Sequence, residues 1–142
     1  MLRIKDIKIY MIESTIQLRV LYAHTDKMGV VNNARYLEYF EAGRNDLLRK
    51  TGYPYTELEK ENIALPVIEA NCKYISGAKY DEVVTIKSFL RTMPTVRIKI
   101  DYEVYVEDKL IASGYTIHSF VNLEKMKPIR PPEKFLNVLK NL

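Results

Sequence analysis

The chain has 142 residues, of which 47% are hydrophobic and 28% charged, and its formal net charge is +4 at pH 7. This balance is typical of globular proteins and excludes a disordered chain, and the length suffices for one domain over residues 1–142 with a single core. Cys72 is the only cysteine, which excludes a scaffold held by intrachain disulfides. The mild positive charge favours anionic partners.

No segment has the composition of a bilayer span. The longest stretch without Asp, Glu, Lys or Arg runs from Leu110 to Leu123, whereas a transmembrane helix needs about 20 apolar residues. The N-terminal sequence MLRIKDIKIYMIE carries a charge every few residues and has no apolar signal-peptide core. We therefore expect a cytoplasmic location and no membrane span.

The first half of the chain predicts one strand and one long helix. Residues Ser14–Tyr22 are typical of a strand, and the turn-forming residues His24–Gly29 interrupt it. From Asn33 to about Lys50 the pattern is helical, because apolar residues recur at three- and four-residue spacing, at Leu37, Phe40 and Leu47 or Leu48. The expected cap of this helix is Asn32 or Asn33, and Gly52 is its expected stop.

The rest of the chain predicts mostly strands. A short second helix is expected at Pro54–Glu61, and four strands follow, at Leu65–Ile75, Val83–Met93, Thr95–Val106 and Leu110–Asn122. In the third strand apolar and charged residues alternate, which predicts one buried and one wet face. Short turns between the last three strands predict an antiparallel meander. This order predicts an α+β fold in which a five-stranded antiparallel sheet is wrapped around a long central helix.

One segment carries a specific motif. Residues 22–44 read YAHTDKMGVVNNARYLEYFEAGR, which contains the pattern TDxxGxVxxxxY followed by YFExxR. This segment resembles the acyl-CoA thioesterases of the 4-hydroxybenzoyl-CoA thioesterase family, including the Tol–Pal-associated subfamily. The resemblance continues through LPVIEANCKYISGAKYDE and KPIRPPEKF and covers nearly the whole chain. It implies the hotdog fold, in agreement with the predicted element order, and hydrolysis of acyl-CoA to a free acid and CoA.

The resemblance implies that Asp26 is the catalytic carboxylate and that the backbone amide of Asn33 is the oxyanion donor. A helix N-terminus offers free N–H groups and a positive dipole end, which stabilise the oxyanion formed when a thioester carbonyl is attacked. Asp26 either attacks the carbonyl or activates a water, and the sequence leaves both routes open. The alternative for Asp26 is a turn residue or a helix cap, since T-D-x-x-G is good turn chemistry.

Further site residues are expected around this centre. Val31, Tyr36, Glu41 and Arg44 are assigned to substrate binding, and Arg91, Thr95 and Arg97 to the CoA moiety. Glu41 and Arg44 are three residues apart on one helix face, and the alternative for them is a structural ion pair that joins the helix to the sheet. The alternative for Tyr36 is a packed aromatic. For the basic residues, together with Lys99, the alternative is solubility of a wet sheet face.

The two histidines and Cys72 are too isolated to form a metal-ligand cluster, so we expect no metal and no cofactor beyond the CoA of the substrate. His24 is expected to be a partly exposed residue at the end of a strand, and His118 a satisfied sheet residue. Cys72 is expected to be a small buried hydrophobe rather than a nucleophile. Several relatives carry Tyr or His where this chain has Asn32 and Asn33, which weakens any inference about the acyl group.

The resemblance also implies a homodimer or homotetramer in which sheets join side by side and the active sites form at the subunit interface. Protection of a sheet edge is the physical motive for such assembly. Two other functions stay open, a non-hydrolytic acyl-CoA-binding protein and a hotdog dehydratase or hydratase that would use His24 and Glu41. A nucleic-acid partner is not expected, because no recognition motif or basic stripe is present.

Overall fold

The computed structural model describes residues 11–142. The expectation that the N-terminal sequence is not a signal peptide therefore concerns residues that lie largely outside the described part of the chain. Five strands form the main sheet, and every neighbouring pair is antiparallel. In spatial order they are β1 (Ile12–Arg19), β4 (Val83–Leu90), β5 (Arg97–Val106), β6 (Lys109–Ser119) and β3 (Val67–Tyr74). The predicted five-stranded antiparallel sheet and its meander are confirmed.

A 17-residue helix, α1 (Arg35–Thr51), packs on this sheet, chiefly against β1 and β4. Its buried residues recur at helical spacing, at Tyr36, Tyr39, Phe40, Gly43, Leu47, Leu48 and Thr51. Gly43 lets the helix approach the sheet closely, because a Cβ there would overlap the Ser88 Oγ and lie 2.9 Å from the Ile86 Cγ2. The sheet-facing side of α1 therefore fixes where its N-terminus lies.

The ends of α1 differ in how well the sequence predicts them. Gly52 ends the helix in the left-handed conformation at φ 87°, as expected of a C-terminal glycine. The helix begins at Arg35 rather than Asn33, and the Asn32 side chain accepts the Ala34 N–H at 3.0 Å. The predicted stripe is wrong at Leu37, which is 46% exposed, because this position lies beside the sheet-facing side rather than on it.

The strand ends were predicted less well than the strands. Along β5 the alternation is confirmed for Ile98, Ile100, Tyr102 and Val104, whereas Val96 lies in the preceding turn and is 53% exposed. The predicted strand Leu65–Ile75 corresponds to β3 alone, which begins after Pro66 at Val67 and ends at Tyr74, and a two-residue strand, β2 (Ile63–Ala64), precedes it. The predicted strand Leu110–Asn122 is interrupted at Phe120 and forms β6 and β7 (Val121–Asn122).

Smaller elements close one end of the structure. Strands β2, β7 and β8 (Lys127–Pro128) form a second, three-stranded sheet, and α2 (Tyr55–Lys60) lies where a short helix was expected. A third helix, α3 (Glu133–Lys140), was not predicted. It buries Phe135, whose ring lies 5.5 Å from that of Tyr53 and 6.1 Å from that of Phe120. The signal for it was a Pro-Pro pair followed by apolar residues at helical spacing.

Strand β3 is the exposed edge of the main sheet. It pairs only with β6 within the described residues, and seven of its eight residues are exposed. Apolar side chains along and just after it, Val67, Ile68, Tyr74 and Ile75, are 45–53% exposed. None of the helices within residues 11–142 is long and apolar enough to cross a membrane.

Candidate active site

A cavity of about 310 Å³ lies at the N-terminus of α1. We call it the Asp26 cavity. Three segments form its walls: the turn after β1, the first turn of α1 and the chain at the end of β3. The lining residues are Asp26, Met28, Val30, Val31, Asn33, Tyr36, Tyr74, Ile75, Ser76 and Gly77.

Two isolated β-bridges hold these segments together, one between Thr25 and Val31 and one between Val30 and Lys79. The approach is close at Gly77, where a Cβ would lie 2.6 Å from the Val30 Cγ1. A residue without a side chain therefore brings the end of β3 against the turn that carries Asp26. This contact was not predicted, because it joins segments about 50 residues apart in the chain.

Asp26 is an exposed turn residue that also lines the cavity. Its backbone N–H donates to the Val30 carbonyl at 2.9 Å, and its Oδ1 accepts the Met28 N–H at 2.8 Å. Gly29 supplies the left-handed conformation of this turn at φ 78°. The turn role considered as the alternative is thus present. Within residues 11–142, however, the second carboxylate oxygen of Asp26 accepts no hydrogen bond.

The backbone amide of Asn33 has no acceptor among the residues that the structure describes. Its neighbours are engaged, since the Asn32 N–H donates to the His24 carbonyl at 2.8 Å and the Ala34 N–H to the Asn32 side chain. The Asn33 carbonyl accepts hydrogen bonds from the Tyr36 N–H at 3.2 Å and from the Tyr74 hydroxyl at 3.1 Å. The Asn33 carbonyl is thus fixed by two hydrogen bonds. A peptide N–H that is free at a helix N-terminus can stabilise an anionic oxygen.

Val31 and Tyr36 belong to both the core and the cavity wall. They are 2% and 1% exposed, and each lines the Asp26 cavity. The Tyr36 ring contacts those of Tyr74 and Tyr39 edge to face, with centroids 5.3 and 5.6 Å away. Burial raises the pKa of Tyr36 to about 12, so its hydroxyl stays protonated. The packed aromatic considered for Tyr36 is therefore present, and it lies beside the site.

Glu41 and Arg44 line a separate cavity of about 160 Å³, which we call the Arg44 cavity. Its other lining residues are Asn45, Leu48, Tyr55 and Leu65. No ion pair joins Glu41 to Arg44 in the part of the chain that the structure describes, so the ion-pair interpretation is wrong. Arg44 does connect the helix to the sheet, because its Nη1 donates to the Tyr102 hydroxyl of β5 at 3.2 Å.

The basic residues predicted for CoA lie at the far end of the sheet. Arg97 pairs in register with Ser119 of β6, whereas Tyr74 at the Asp26 cavity pairs with Ala112. Seven residues of β6 separate these two levels, roughly 23 Å at the rise of a strand. The Arg91 Nε donates to Asp101 at 3.1 Å, whereas Thr95 and Arg97 are exposed. One chain thus does not bring these residues to Asp26.

The remaining candidates lie outside both cavities. His24 is half-buried in a 3₁₀ turn, Tyr22–His24, and its Nδ1 accepts the Leu21 N–H at 3.4 Å. His118 is fully buried in β6 and hydrogen-bonded, as expected. Burial raises the pKa of the Cys72 thiol, which disfavours the thiolate form that a nucleophile needs.

Comparison with known proteins places this chain in a family. The sequence pattern of the thioesterase-like superfamily matches residues 20–139. The chain belongs to the thioesterase-like superfamily. The acyl-CoA thioesterase YbgC of Haemophilus influenzae is 29% identical over 82% of this chain and 87% of its own.

Solved structures in the same superfamily share the fold. A hypothetical protein of Thermus thermophilus, TT1821, is 34% identical with a TM-score of 0.85 over 92% of this chain and 98% of its own. The DHNA-CoA thioesterase of Staphylococcus aureus is 32% identical with a TM-score of 0.79 over 83% of this chain and 80% of its own. The prediction of an enzyme of the thioesterase class is confirmed. The Tol–Pal-associated subfamily stays a prediction.

Proposed function

We propose that this chain hydrolyses acyl-CoA thioesters to a free acid and CoA in the Asp26 cavity. One observation carries the proposal: the Asp26 carboxylate and the free N–H of Asn33 line the same cavity. A carboxylate that attacks or activates water and an N–H that stabilises the resulting oxyanion are the two groups that thioester hydrolysis needs. Superfamily membership supports the same chemistry.

Asp26 has two routes to the product. In the first, its carboxylate attacks the thioester carbon, the CoA thiolate leaves, and water then hydrolyses the resulting mixed anhydride. In the second, Asp26 takes a proton from a water that attacks the same carbon directly. Both routes place negative charge on the carbonyl oxygen, and in both the Asn33 N–H at the positive end of α1 stabilises that charge.

The two alternative functions have less support. A dehydratase that used His24 and Glu41 would need them at one site, but neither lines the Asp26 cavity, and Glu41 lines the Arg44 cavity. A non-hydrolytic acyl-CoA-binding protein would not need an unpaired N–H beside a carboxylate. Thioester hydrolysis therefore accounts for more of the site.

We further propose that two subunits join through their β3 edges to complete the site. The edge presents an exposed row of apolar side chains and unpaired backbone groups, which favours pairing with another strand. An antiparallel pairing of two such edges would bring the far end of one sheet beside the Asp26 cavity of the other. Arg91, Thr95 and Arg97 of one subunit would then bind the CoA moiety held by its partner. This pairing gives the homodimer, and two such dimers would form the homotetramer.

The rest of the assignment follows from this function. Residues 1–142 form a single hotdog thioesterase domain in the cytoplasm, with the sheet curved around α1 as the central helix. CoA belongs to the substrate, and the reaction uses no separate cofactor or metal. Val31, Tyr36, Glu41 and Arg44 contact the acyl group. The Tol–Pal-associated thioesterases are the subfamily whose motif this chain most resembles.

The test is release of free thiol from short, aromatic and long acyl-CoAs. Asp26→Asn keeps an oxygen that can accept the Met28 N–H, so the turn persists while the carboxylate is lost. We expect this variant to lose at least about 100-fold in activity. Asp108→Asn, an exposed aspartate in the β5–β6 turn, is the matched control and keeps full activity. Full activity in Asp26→Asn would falsify the assignment.

A further inference from the structure

A chain of hydrogen bonds runs from α1 through the buried interior of the sheet. Arg44 contacts the Tyr102 hydroxyl at 3.2 Å, which contacts the Thr116 Oγ1 at 2.6 Å. Thr116 contacts the His118 Nε2 at 2.8 Å, and the His118 Nδ1 contacts the Leu65 carbonyl at 3.0 Å. The three middle residues are at most 2% exposed. None of the residues in this hydrogen-bond chain lines the Asp26 cavity.

The chemistry of its ends gives every bond in the chain one direction. The Leu65 carbonyl only accepts, so the His118 Nδ1 carries the proton and Nε2 accepts from Thr116. Thr116 then accepts from Tyr102, and Tyr102 accepts from the Arg44 guanidinium, which only donates. Burial, with the Arg44 charge adding to it, lowers the pKa of His118 to about 4, so the ring is neutral at pH 7. This hydrogen-bond chain thus holds the Arg44 guanidinium in one orientation.

Both ends of this chain reach the Arg44 cavity, since Arg44 and Leu65 each line it. The bond to Tyr102 uses one of the five N–H donors of the guanidinium. No carboxylate among residues 11–142 lies within ion-pairing distance of Arg44. Leu48, Leu65 and the Tyr55 ring add apolar wall to this cavity. A half-buried cation with free donors and apolar surroundings suits an apolar ligand that ends in an oxygen acceptor.

One side of α1 connects the two cavities. Asn33, Leu37, Glu41 and Arg44 follow each other at three- and four-residue spacing, and the exposed Leu37 lies between the cavities. From Asn33 to Glu41, the first residue of α1 that lines the Arg44 cavity, the distance along the helix axis is roughly 12 Å. An extended acyl chain advances about 1.2 Å per bond, so about ten of its bonds span the distance from the thioester carbonyl to the Arg44 cavity. Short acyl groups do not reach it.

We propose that the Arg44 cavity binds the far end of the acyl group and selects medium-length acyl chains that carry an oxygen there. In this proposal Arg44 contacts the substrate, and Tyr102, Thr116 and His118 are positioning residues that act through it. The inference rests on the proposed function, because it names the acyl group that the thioesterase prefers.

The test compares decanoyl-CoA with 10-hydroxydecanoyl-CoA, which differ by one terminal hydroxyl. The measured quantity is the ratio of their kcat/KM values, with KM and kcat determined separately. We expect the wild type to prefer the hydroxylated substrate about tenfold, the effect of one hydrogen bond to a charged group, mainly through a lower KM. Arg44→Gln and Thr116→Val lose this preference. Thr116→Ser, which retains the hydroxyl, keeps it.

Thr85→Val is the matched control. Thr85 lies in β4 and accepts a hydrogen bond from the Gln17 side chain, outside the buried chain, so this variant keeps the wild-type ratio. A wild-type ratio near one overturns the inference, as does a preference that survives in Arg44→Gln. These two outcomes do not depend on whether Thr116→Val folds.

A second measurement separates the inference from the proposed function. Calorimetric binding of both thioesters to Asp26→Asn reports the preference without hydrolysis, and thiol release by the wild type reports turnover. Preferential binding of the hydroxylated thioester without turnover by the wild type refutes the thioesterase but supports the subsite. Turnover and binding of both thioesters without preference support the thioesterase and refute the subsite.

Discussion

The Tyr74 hydroxyl donates a hydrogen bond of 3.1 Å to the backbone carbonyl of Asn33. This bond ties the exposed edge strand β3 to the N-terminus of α1, where the free amide of Asn33 lies. Since Tyr74 also lines the Asp26 cavity, the edge strand both walls this cavity and fixes the peptide of Asn33, the proposed oxyanion donor. Any partner that covers the β3 edge therefore also covers a residue that holds the Asn33 peptide in place.

Removing this hydrogen bond tests whether the held peptide matters for catalysis. We expect Tyr74→Phe to lower kcat about 2- to 12-fold, the effect of one neutral hydrogen bond, with little change in KM. Tyr80→Phe is the control, because Tyr80 is exposed and, within the part of the chain that the structure describes, its hydroxyl makes no hydrogen bond and its ring contacts Tyr22 edge to face. Steady-state kinetics of thiol release measures both. An unchanged kcat in Tyr74→Phe would show that Asn33 needs no such support.

The burial of His118 predicts that stability falls in mild acid. Burial lowers its pKa from the ordinary 6.5 to about 4 in the folded chain, so between these pH values the unfolded state binds a proton that the folded state does not. The contribution of neutral His118 to the free energy of unfolding is therefore complete above about pH 6.5 and is lost as the pH falls to about 4. It amounts to about 3 kcal/mol.

Urea unfolding at pH values from 4 to 7 measures this dependence. We expect His118→Gln to flatten it, whatever the variant costs in stability at pH 7. His24→Gln, at the only other histidine of the sequence, is measured in parallel as the control for replacing a histidine. If His118→Gln retained the wild-type slope, the titrating group would have to be a different one.

The close approach at Gly43 predicts a coupled pair of substitutions. Gly43→Ala is expected to lower the free energy of unfolding by about 1–3 kcal/mol, because its Cβ would meet Ser88 and Ile86. Ser88→Ala alone is expected to be neutral or stabilising, since the buried Ser88 Oγ has no hydrogen-bond partner among residues 11–142.

The double variant tests this coupling. Ser88→Ala removes one of the two atoms that the new Cβ meets, so it is expected to recover part of the loss caused by Gly43→Ala. Denaturant unfolding of the four proteins gives the interaction energy of the cycle. Strictly additive losses would contradict the close contact.

The proposed dimer predicts that assembly and activity are lost together. Ile68→Lys adds a charge to the exposed β3 edge, and we expect it to shift the protein to monomer and to lower thiol release, with the fold retained. Leu123→Lys, at an equally exposed apolar residue after β7, is the control for the added charge. Sedimentation velocity and activity are measured on the same samples. An active monomer would refute an interface site.

Local patterns predicted the elements well. The alternation along β5 was readable because successive side chains of a strand point to opposite faces, and Ile98, Ile100, Tyr102 and Val104 are buried as expected. The end of α1 at Gly52 was readable because glycine readily adopts the left-handed conformation. The helix start and the turn at Asp26 likewise depend on neighbours within a few residues.

Which of the candidate site residues lie together could not be predicted from the sequence. Glu41 and Arg44 are close to Asn33 along the chain, yet they line a different cavity, because two to three turns of helix lie between Asn33 and these two residues. Arg97, which was expected to bind the CoA moiety, lies roughly 23 Å along the sheet from the level of Tyr74 at the Asp26 cavity, since strand register sets its position. The contact of Tyr74 with Asn33 joins residues 41 apart, and no local pattern indicates it.

The sequence by itself determined the type of fold, the helix that carries the site and the motif that identified the superfamily. These features depend on periodicity, turn chemistry and residue identity, all of which act over short distances along the chain. Only the tertiary structure decided that the Asp26 and Arg44 cavities are separate, that β3 walls the site and that a buried chain orients Arg44. Strand order and helix packing produce these relationships, because they bring together residues that are far apart in sequence.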